Sequence, residues 1–313
     1  MEENIRLLIK VALLYYNEKL TEQEISARLG ISRPKVSRLL KKALEIGIVE
    51  IKINTNNDLT PMEKEIEKKY KLQEVKIVEY KTEENELLKK ELGKAAAELL
   101  VRIIKNGDII GVSWGTTIAL IPQFIKINKK LNTCLFVPLV AGLGQAPYEI
   151  QANNIAIEFA KAFGAKWQLL HAPAIVENLE VKKSILSDSM VKKSLEIAAK
   201  ADVAIVGIGG PINTSTILES GYFGENEINE LNREGAIGDI CSRFFDINGN
   251  ICERAEINNR IIGISLEQLK QIKRVVGVAG GKNKIQAIKS AVKGGYINIL
   301  VTDTVTAEEL LKD

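Results

Sequence analysis

The sequence predicts an α/β protein in two parts: an N-terminal winged helix-turn-helix over residues 1–54, and a larger, mostly parallel, Rossmann-like α/β domain over residues 55–313. Three observations carry this. Two short helical patterns near the start are separated by a glycine and flanked by capping residues. From residue 109 onward, seven apolar strand cores alternate with helical patterns. The charge divides at the same boundary: residues 1–53 hold ten Lys/Arg and seven Asp/Glu, which is the whole net charge of +3, while the remaining 260 residues balance at 33 of each sign.

In the head, Ile5, Leu8, Ile9, Ala12, Leu13 and Tyr16 recur at helical spacing and form one apolar stripe. Thr21 opens the next helix as its N-cap, and Glu24 three positions on completes a capping box. Ile25 and Leu29 face inward, and Gly30 stands where a helix needs a left-handed terminator. Ser32 caps a third helix that runs to about Glu45. Pro34 lies in its first turn, where a missing N–H costs little. Val36, Leu39, Leu40 and Ala43 are its buried face, and Ser26 keeps the crossing between the two helices small. After Gly47, the alternation over residues 48–53 reads as a strand, one side of a wing.

A helix-turn-helix lays the N-terminal residues of its second helix in the major groove. Here those residues are Ser32, Arg33, Lys35, Ser37 and Arg38. Arginine pairs bidentately with guanine, and serine and lysine reach phosphates or base edges. Residues 32–42 carry Arg33, Lys35, Arg38, Lys41 and Lys42 and no acid, the electrostatic footprint of a phosphate backbone. Taken alone, such a cluster describes a solvated helix face. Its coincidence with the capping and the spacing points to double-stranded DNA.

Residues 54–58 are polar and turn-rich, a linker. A short helix over 60–70, a strand over 74–78 and a longer helix over about 84–104 follow. Strand cores then come at 109–112, 135–140, 167–170, 203–207, 260–264, 275–279 and 297–301. Continuous apolar strands separated by helices mean a parallel sheet covered on both faces. Ligands of such sheets bind outside the carboxyl ends of the strands, and four of those ends are rich in small residues: 111–117, 141–145, 207–210 and 280–284. In the first, Ser113, Gly115, Thr116 and Thr117 let backbone N–H groups turn inward and add hydroxyl donors at a helix start, which favours an anion. It lacks the Lys-Ser/Thr ending of a nucleotide P-loop, so ATP and GTP are not expected. Lys284 falls in a first helical turn, where the dipole disfavours a cation unless an anion compensates. It is a candidate phosphate ligand.

No apolar run approaches the ~18 residues of a membrane span, and no secretory signal layout opens the chain; a cytoplasmic location is expected. Cys134, Cys241 and Cys252 have neither pairing nor zinc spacing and read as buried thiols, so no disulfide, metal site or cofactor is expected. The one histidine, His171, lies beside Ala172-Pro173. Proton-transfer chemistry needs a base within reach of its substrate; Asp239 reads equally as a carboxylate base or a hydroxyl acceptor. No paired catalytic constellation emerges.

These residues resemble the SorC family of sugar-responsive bacterial transcriptional regulators over nearly the whole chain. In the head the likeness rests on Leu14-Tyr15-Tyr16, residues 21–30 and residues 32–40. In the larger domain it rests on residues 113–117, Gln151-Ala152-Asn153, residues 235–239 with Phe245-Asp246, residues 280–284 and residues 300–303. The resemblance implies a large domain of the phosphosugar isomerase/deaminase type and a homotetramer, or dimer of dimers, on operator DNA. It implies a phosphorylated sugar or related polyol as effector. By position, Gly115, Thr116, Thr117 and Lys284 would hold phosphate, with Ser113 in the same loop; Gln151, Asn153 and Asp239 would meet sugar hydroxyls or the far end of the ligand. Ala141 departs from the pattern: several relatives place Arg or Lys there, and in one branch that lysine bonds the sugar aldehyde. Non-covalent binding, and not of a diphosphorylated sugar, is therefore implied. Two rival readings are a phosphosugar isomerase or deaminase with an accessory N-terminal domain, and an oligomeric scaffold with vestigial pockets.

Overall fold

The computed structural model describes residues 2–50, 58–79, 85–128 and 130–312. The chain divides into two compact units, Met1–Asp58 and Leu59–Asp313.

In the first unit, α1 (Glu2–Ala12) runs into a single wide turn, Leu13–Asn17, and is followed by α2 (Glu22–Leu29) and α3 (Arg33–Glu45). The start of α2 is fixed reciprocally: the Glu24 N–H donates to Thr21 Oγ1 at 3.3 Å, and the Thr21 N–H donates to the Glu24 carboxylate at 2.7 Å. Its end is Gly30, at φ 64°, a left-handed conformation that costs glycine little. The Ser26 hydroxyl then donates to the Ile31 carbonyl at 2.6 Å and closes the corner. Ser32 stands at the N-cap of α3, but its hydroxyl makes no capping bond; its carbonyl accepts from the Lys35 and Val36 N–H groups instead.

Leu8, Val11, Ala12, Leu14, Ile25, Val36, Leu39, Leu40 and Ala43 form the core of this unit. The stripe expected on the first helix is thus only partly buried. That helix is apolar on more than one face, and the core takes the Leu8–Val11 side while Ile5, Ile9 and Leu13 remain exposed. The expected wing strand is corrected at its start: residues 48–49 form a bend and residue 50 is not in a strand, with the Val49 N–H held on the Ala43 carbonyl, because Ile48 and Val49 pack back on the core. Residues 51–53 of that strand lie outside the described residues.

The second unit is built on a seven-stranded sheet. Its strands are β1 (Glu74–Val78), β2 (Ile109–Val112), β3 (Leu135–Pro138), β4 (Lys166–Trp167), β5 (Val203–Gly207), β8 (Arg274–Val278) and β9 (Ile299–Asp303). All pairs are parallel, in the order β1-β9-β8-β5-β2-β3-β4. Two short strands, β6 (Gly238–Ile240) and β7 (Arg243–Phe245), make a separate antiparallel hairpin. From β2 the chain steps outward to β3 and β4; from β5 it steps the other way, to β8 and β9. The order reverses between β2 and β5, and a crevice opens outside their carboxyl ends.

Both faces of the sheet are covered, which explains why its strands read as continuous apolar runs. On one face Ile110, Val112, Val203, Ile205, Val276 and Val278 pack against α5 (Asn85–Ile103) and α7 (Ala152–Phe163). Phe136 stacks there on Phe159 and Phe163, each with ring centroids 5.6 Å away. On the other face Val137, Ala204, Val206, Val275 and Leu300 meet Ile66 of α4 (Thr60–Tyr70), Leu269, Ile288 and Leu310.

The apolar run at 260–264 is not a strand of this sheet. It makes two isolated antiparallel bridges, Gly263 with Val140 and Ile261 with Ile175. Ile261, Ile262 and Ile264 are fully buried, and burial, not a sheet partner, is what an apolar run reports. No helix among the described residues is long and apolar enough to cross a membrane.

Phe159→Ala removes a ring stacked in a closed core. It is expected to cost about 3–5 kcal/mol, read as a lower denaturation midpoint of the full chain at unchanged m-value.

Candidate functional site

The five residues expected to meet DNA are brought together. Ser32, Arg33, Lys35, Ser37 and Arg38 are all exposed at the start of α3, while Val36, Leu39 and Leu40 between and behind them are buried. Arg33 lies 3.5 Å from Glu22, and Arg38 Nε donates to the Pro34 carbonyl at 3.3 Å. Both contacts are at the surface and are readily exchanged for phosphate oxygens.

In the second unit a cavity occupies the crevice between the β2 and β5 ends. One wall is the loop after β2, with Gly115, Thr116 and Thr117 at the start of the short helix α6 (Thr116–Leu120). The loop after β5, residues 207–210, faces it. Gly280, Asn283 and Lys284, beyond the end of β8, close a third side, and Asp239 and Cys241 of the hairpin form the floor. Lys284 stands at the N-cap of the helix Ile285–Lys293, as expected for a first-turn cation, and its ammonium donates to the Ile208 carbonyl at 2.9 Å.

Asp239 is 2% exposed. Its Oδ2 accepts the Ser242 N–H at 3.1 Å, and its Oδ1 is buried without a hydrogen-bond partner. Its carbonyl accepts the Gly209 N–H at 2.9 Å, and a Cβ at position 209 would stand 1.8 Å from Oδ1. Gly209 is therefore what lets the carboxylate face the cavity. Burial pushes the Asp239 carboxyl up to about 6, against the opposing pull of Lys284 and of the Ser242 N–H. Burial likewise pulls the Lys284 ammonium down, against the pull of Asp239. Desolvation wins over the mutual attraction in both groups.

The hairpin turn that carries Asp239 is unusual. Cys241 and Ser242 have φ of 54° and 64°, a two-residue left-handed turn that sequences normally build with Asn-Gly. Two contacts hold it: the Ser242 N–H on Asp239, and the indole N–H of Trp114, which donates to Ser242 Oγ at 3.0 Å. Trp114 and the hairpin are thereby tied together beneath the cavity. Burial pushes the Cys241 thiol up to about 12, which keeps it protonated and inert.

Three residues expected to touch the effector are placed elsewhere. Ser113 does not line the cavity: it is 1% exposed, donates to the Trp114 carbonyl and accepts the Gly207 N–H, both at 3.0 Å, and so clamps β2 to β5 from behind. Gln151 and Asn153 line a separate, open depression with Tyr148 and Tyr222. There Gln151 accepts the Leu143 N–H at 2.7 Å and donates to the Leu143 and Ala146 carbonyls. Asn153 likewise makes both bonds to the Leu170 backbone. Loops outside the sheet leave backbone groups without ladder partners, and these amides satisfy them. Ala141 is buried, with its N–H on the Ile262 carbonyl. His171 is exposed and lines neither space. Sequence reasoning missed Lys89 of α5, which also lines the cavity.

Comparison with known proteins places the chain among characterised relatives. Residues 54–312 match the family described as "Putative sugar-binding domain", and residues 10–45 match Sigma-70, region 4. The chain is 36% identical over 312 residues to the deoxyribonucleoside regulator of Bacillus subtilis, covering 99% of each protein. It is 34% identical over 310 residues to the transcriptional regulator LsrR of Escherichia coli, covering 97% of this chain and 93% of that one. The crystal structure of the full-length sorbitol operon regulator SorC from Klebsiella pneumoniae matches with a TM-score of 0.77 at 33% identity, over 99% of this chain and 100% of that one. The chain belongs to the SorC family of transcriptional regulators.

Proposed function

We propose that this chain is a cytoplasmic regulator that binds operator DNA through the start of α3, as a tetramer or dimer of dimers, and that a phosphorylated sugar in the crevice between β2 and β5 modulates that binding. The observation that carries the effector reading is Asp239 Oδ1, a buried carboxylate oxygen with no partner at the ligand-binding edge of a parallel sheet. Such an atom is costly unless something donates to it, and a sugar hydroxyl is a donor of the right size and polarity. Gly115, Thr116, Thr117 and Lys284 surround the rest of the cavity with donors suited to an anion. The ligand changes operator affinity by as much as it prefers one arrangement of the protein over another.

Asp239 also gives the chain a characteristic response to pH. A raised carboxyl pKa means that the folded state holds this proton more tightly than the unfolded chain does. Its stabilising contribution is full below the unfolded value and is lost as pH rises through the folded one, here from 3.8 to about 6. An ionised Asp239 is the state that accepts a hydroxyl, so ligand affinity should rise over the same interval.

Arg33→Ala and Arg38→Ala are expected to weaken operator binding and to lower the log–log salt slope by about 0.9 for each phosphate that the variant no longer neutralises. Gel shifts over a salt series check this, and unchanged affinity in both variants would refute the assignment of α3. Asp239→Asn should flatten the melting temperature between pH 4 and 6 relative to the native chain, leave DNA binding intact and abolish the response to sugar phosphate. Lys284→Ala should also lose the response while retaining operator binding; if both variants respond normally, the effector binds elsewhere.

A further inference from the structure

We infer that Lys89 is the residue that makes the cavity select an anionic ligand, and that the phosphate end of the effector lies against α5 while its hydroxyl end faces Asp239. This rests on the sugar phosphate reading and assigns an orientation within it.

Among the described residues, three charged side chains line the cavity: Lys89, Asp239 and Lys284. Lys284 and Asp239 act on each other as opposite charges, and the Lys284 ammonium is already turned to the Ile208 carbonyl. Together these two make a neutral pair that gives no preference for an anion over a neutral sugar. The surplus charge is Lys89. It projects from the first turns of a 19-residue helix that is anchored on either side of it by Leu88 and Leu92, both in the core. Its side chain is only 18% exposed, and it opposes the charge on Lys284 across the same space.

The ion-pair partner of Lys89 is Glu86, 2.8 Å away, which is 71% exposed and does not line the cavity. A surface i,i+3 pair of this kind is weak, about 0–1 kcal/mol, so an anion in the cavity competes for the ammonium readily. A phosphate monoester carries about 1.5–2 negative charges near pH 7 and three acceptor oxygens. Placed by Lys89, with the Thr116 and Thr117 hydroxyls among the donors of the same cavity, it neutralises the surplus cation and relieves its repulsion with Lys284. The sugar hydroxyls then extend toward Asp239 Oδ1.

The test uses the full chain with inorganic phosphate as the probe, at constant ionic strength, reading affinity from the phosphate dependence of the melting temperature. The native chain should be stabilised saturably. Lys89→Met and Lys89→Gln should weaken phosphate affinity by about tenfold or more, Lys89→Arg should largely restore it, and Lys90→Met, an exposed neighbour outside the cavity, should leave it unchanged. Since the partner of Lys89 among the described residues is an exposed carboxylate, the variants should melt as the native chain does without phosphate. Native affinity in both Lys89→Met and Lys89→Gln overturns the inference, as does an equal loss in Lys90→Met. If Lys284→Met abolishes phosphate binding while Lys89→Met does not, the anion lies at the inner wall: the orientation fails and the sugar phosphate reading stands. If the native chain shows no saturable effect of phosphate, the reading itself falls.

Discussion

Two neighbouring parallel strands, β2 and β5, send their chains off in opposite directions, and the gap this leaves decides where the larger unit can bind anything. Backbone from the ends of β2 and β5 therefore borders open space, and the loop after β8 and the β6–β7 hairpin close in around it. The sheet supplies rigidity through two closed apolar layers. The crevice supplies a region of that edge where polar groups such as Asp239 and Lys284 line a cavity.

Within that region the protein accepts local instability. Burying Asp239 and Lys284 moves both toward their neutral forms, so the pair contributes less to folding than its opposite charges suggest. The left-handed Cys241-Ser242 turn adds backbone strain that only the Trp114 and Asp239 contacts offset. Stored strain and an unsatisfied carboxylate at one place are what a ligand can relieve. The depression around Gln151 and Asn153 shows the contrast: its side-chain amides are bonded to backbone.

What could be read from the sequence was what local chemistry determines. The Thr21–Glu24 box, the Gly30 terminator and the exposed face of α3 follow from neighbours a few residues apart, and each stands where the spacing placed it. The ends of β2, β5 and β8 were legible because apolar runs stop at small residues. Pairing and orientation were not. Residues 260–264 carry the same apolar signal as a sheet strand yet join only isolated bridges. Ser113, Gln151 and Asn153 are polar residues near strand ends, and whether they serve a ligand or the backbone depends on groups far away in sequence. Lys89 left no signal, since a lysine in an amphipathic helix looks like solvated surface until the sheet brings α5 across the crevice. The β6–β7 hairpin was hidden because its turn lacks the glycine that normally announces one.

The tie between Trp114 and Ser242 has an optical consequence. The chain has two tryptophans. Trp167 is 48% exposed, whereas Trp114 is 7% exposed, hydrogen-bonded through its indole, and borders the cavity. One fluorophore is wet and insensitive to events in the crevice; the other is dry and sits in its wall. The two emissions are therefore separable: a soluble quencher that silences the exposed Trp167 would leave that of Trp114, at the crevice wall, to be followed alone.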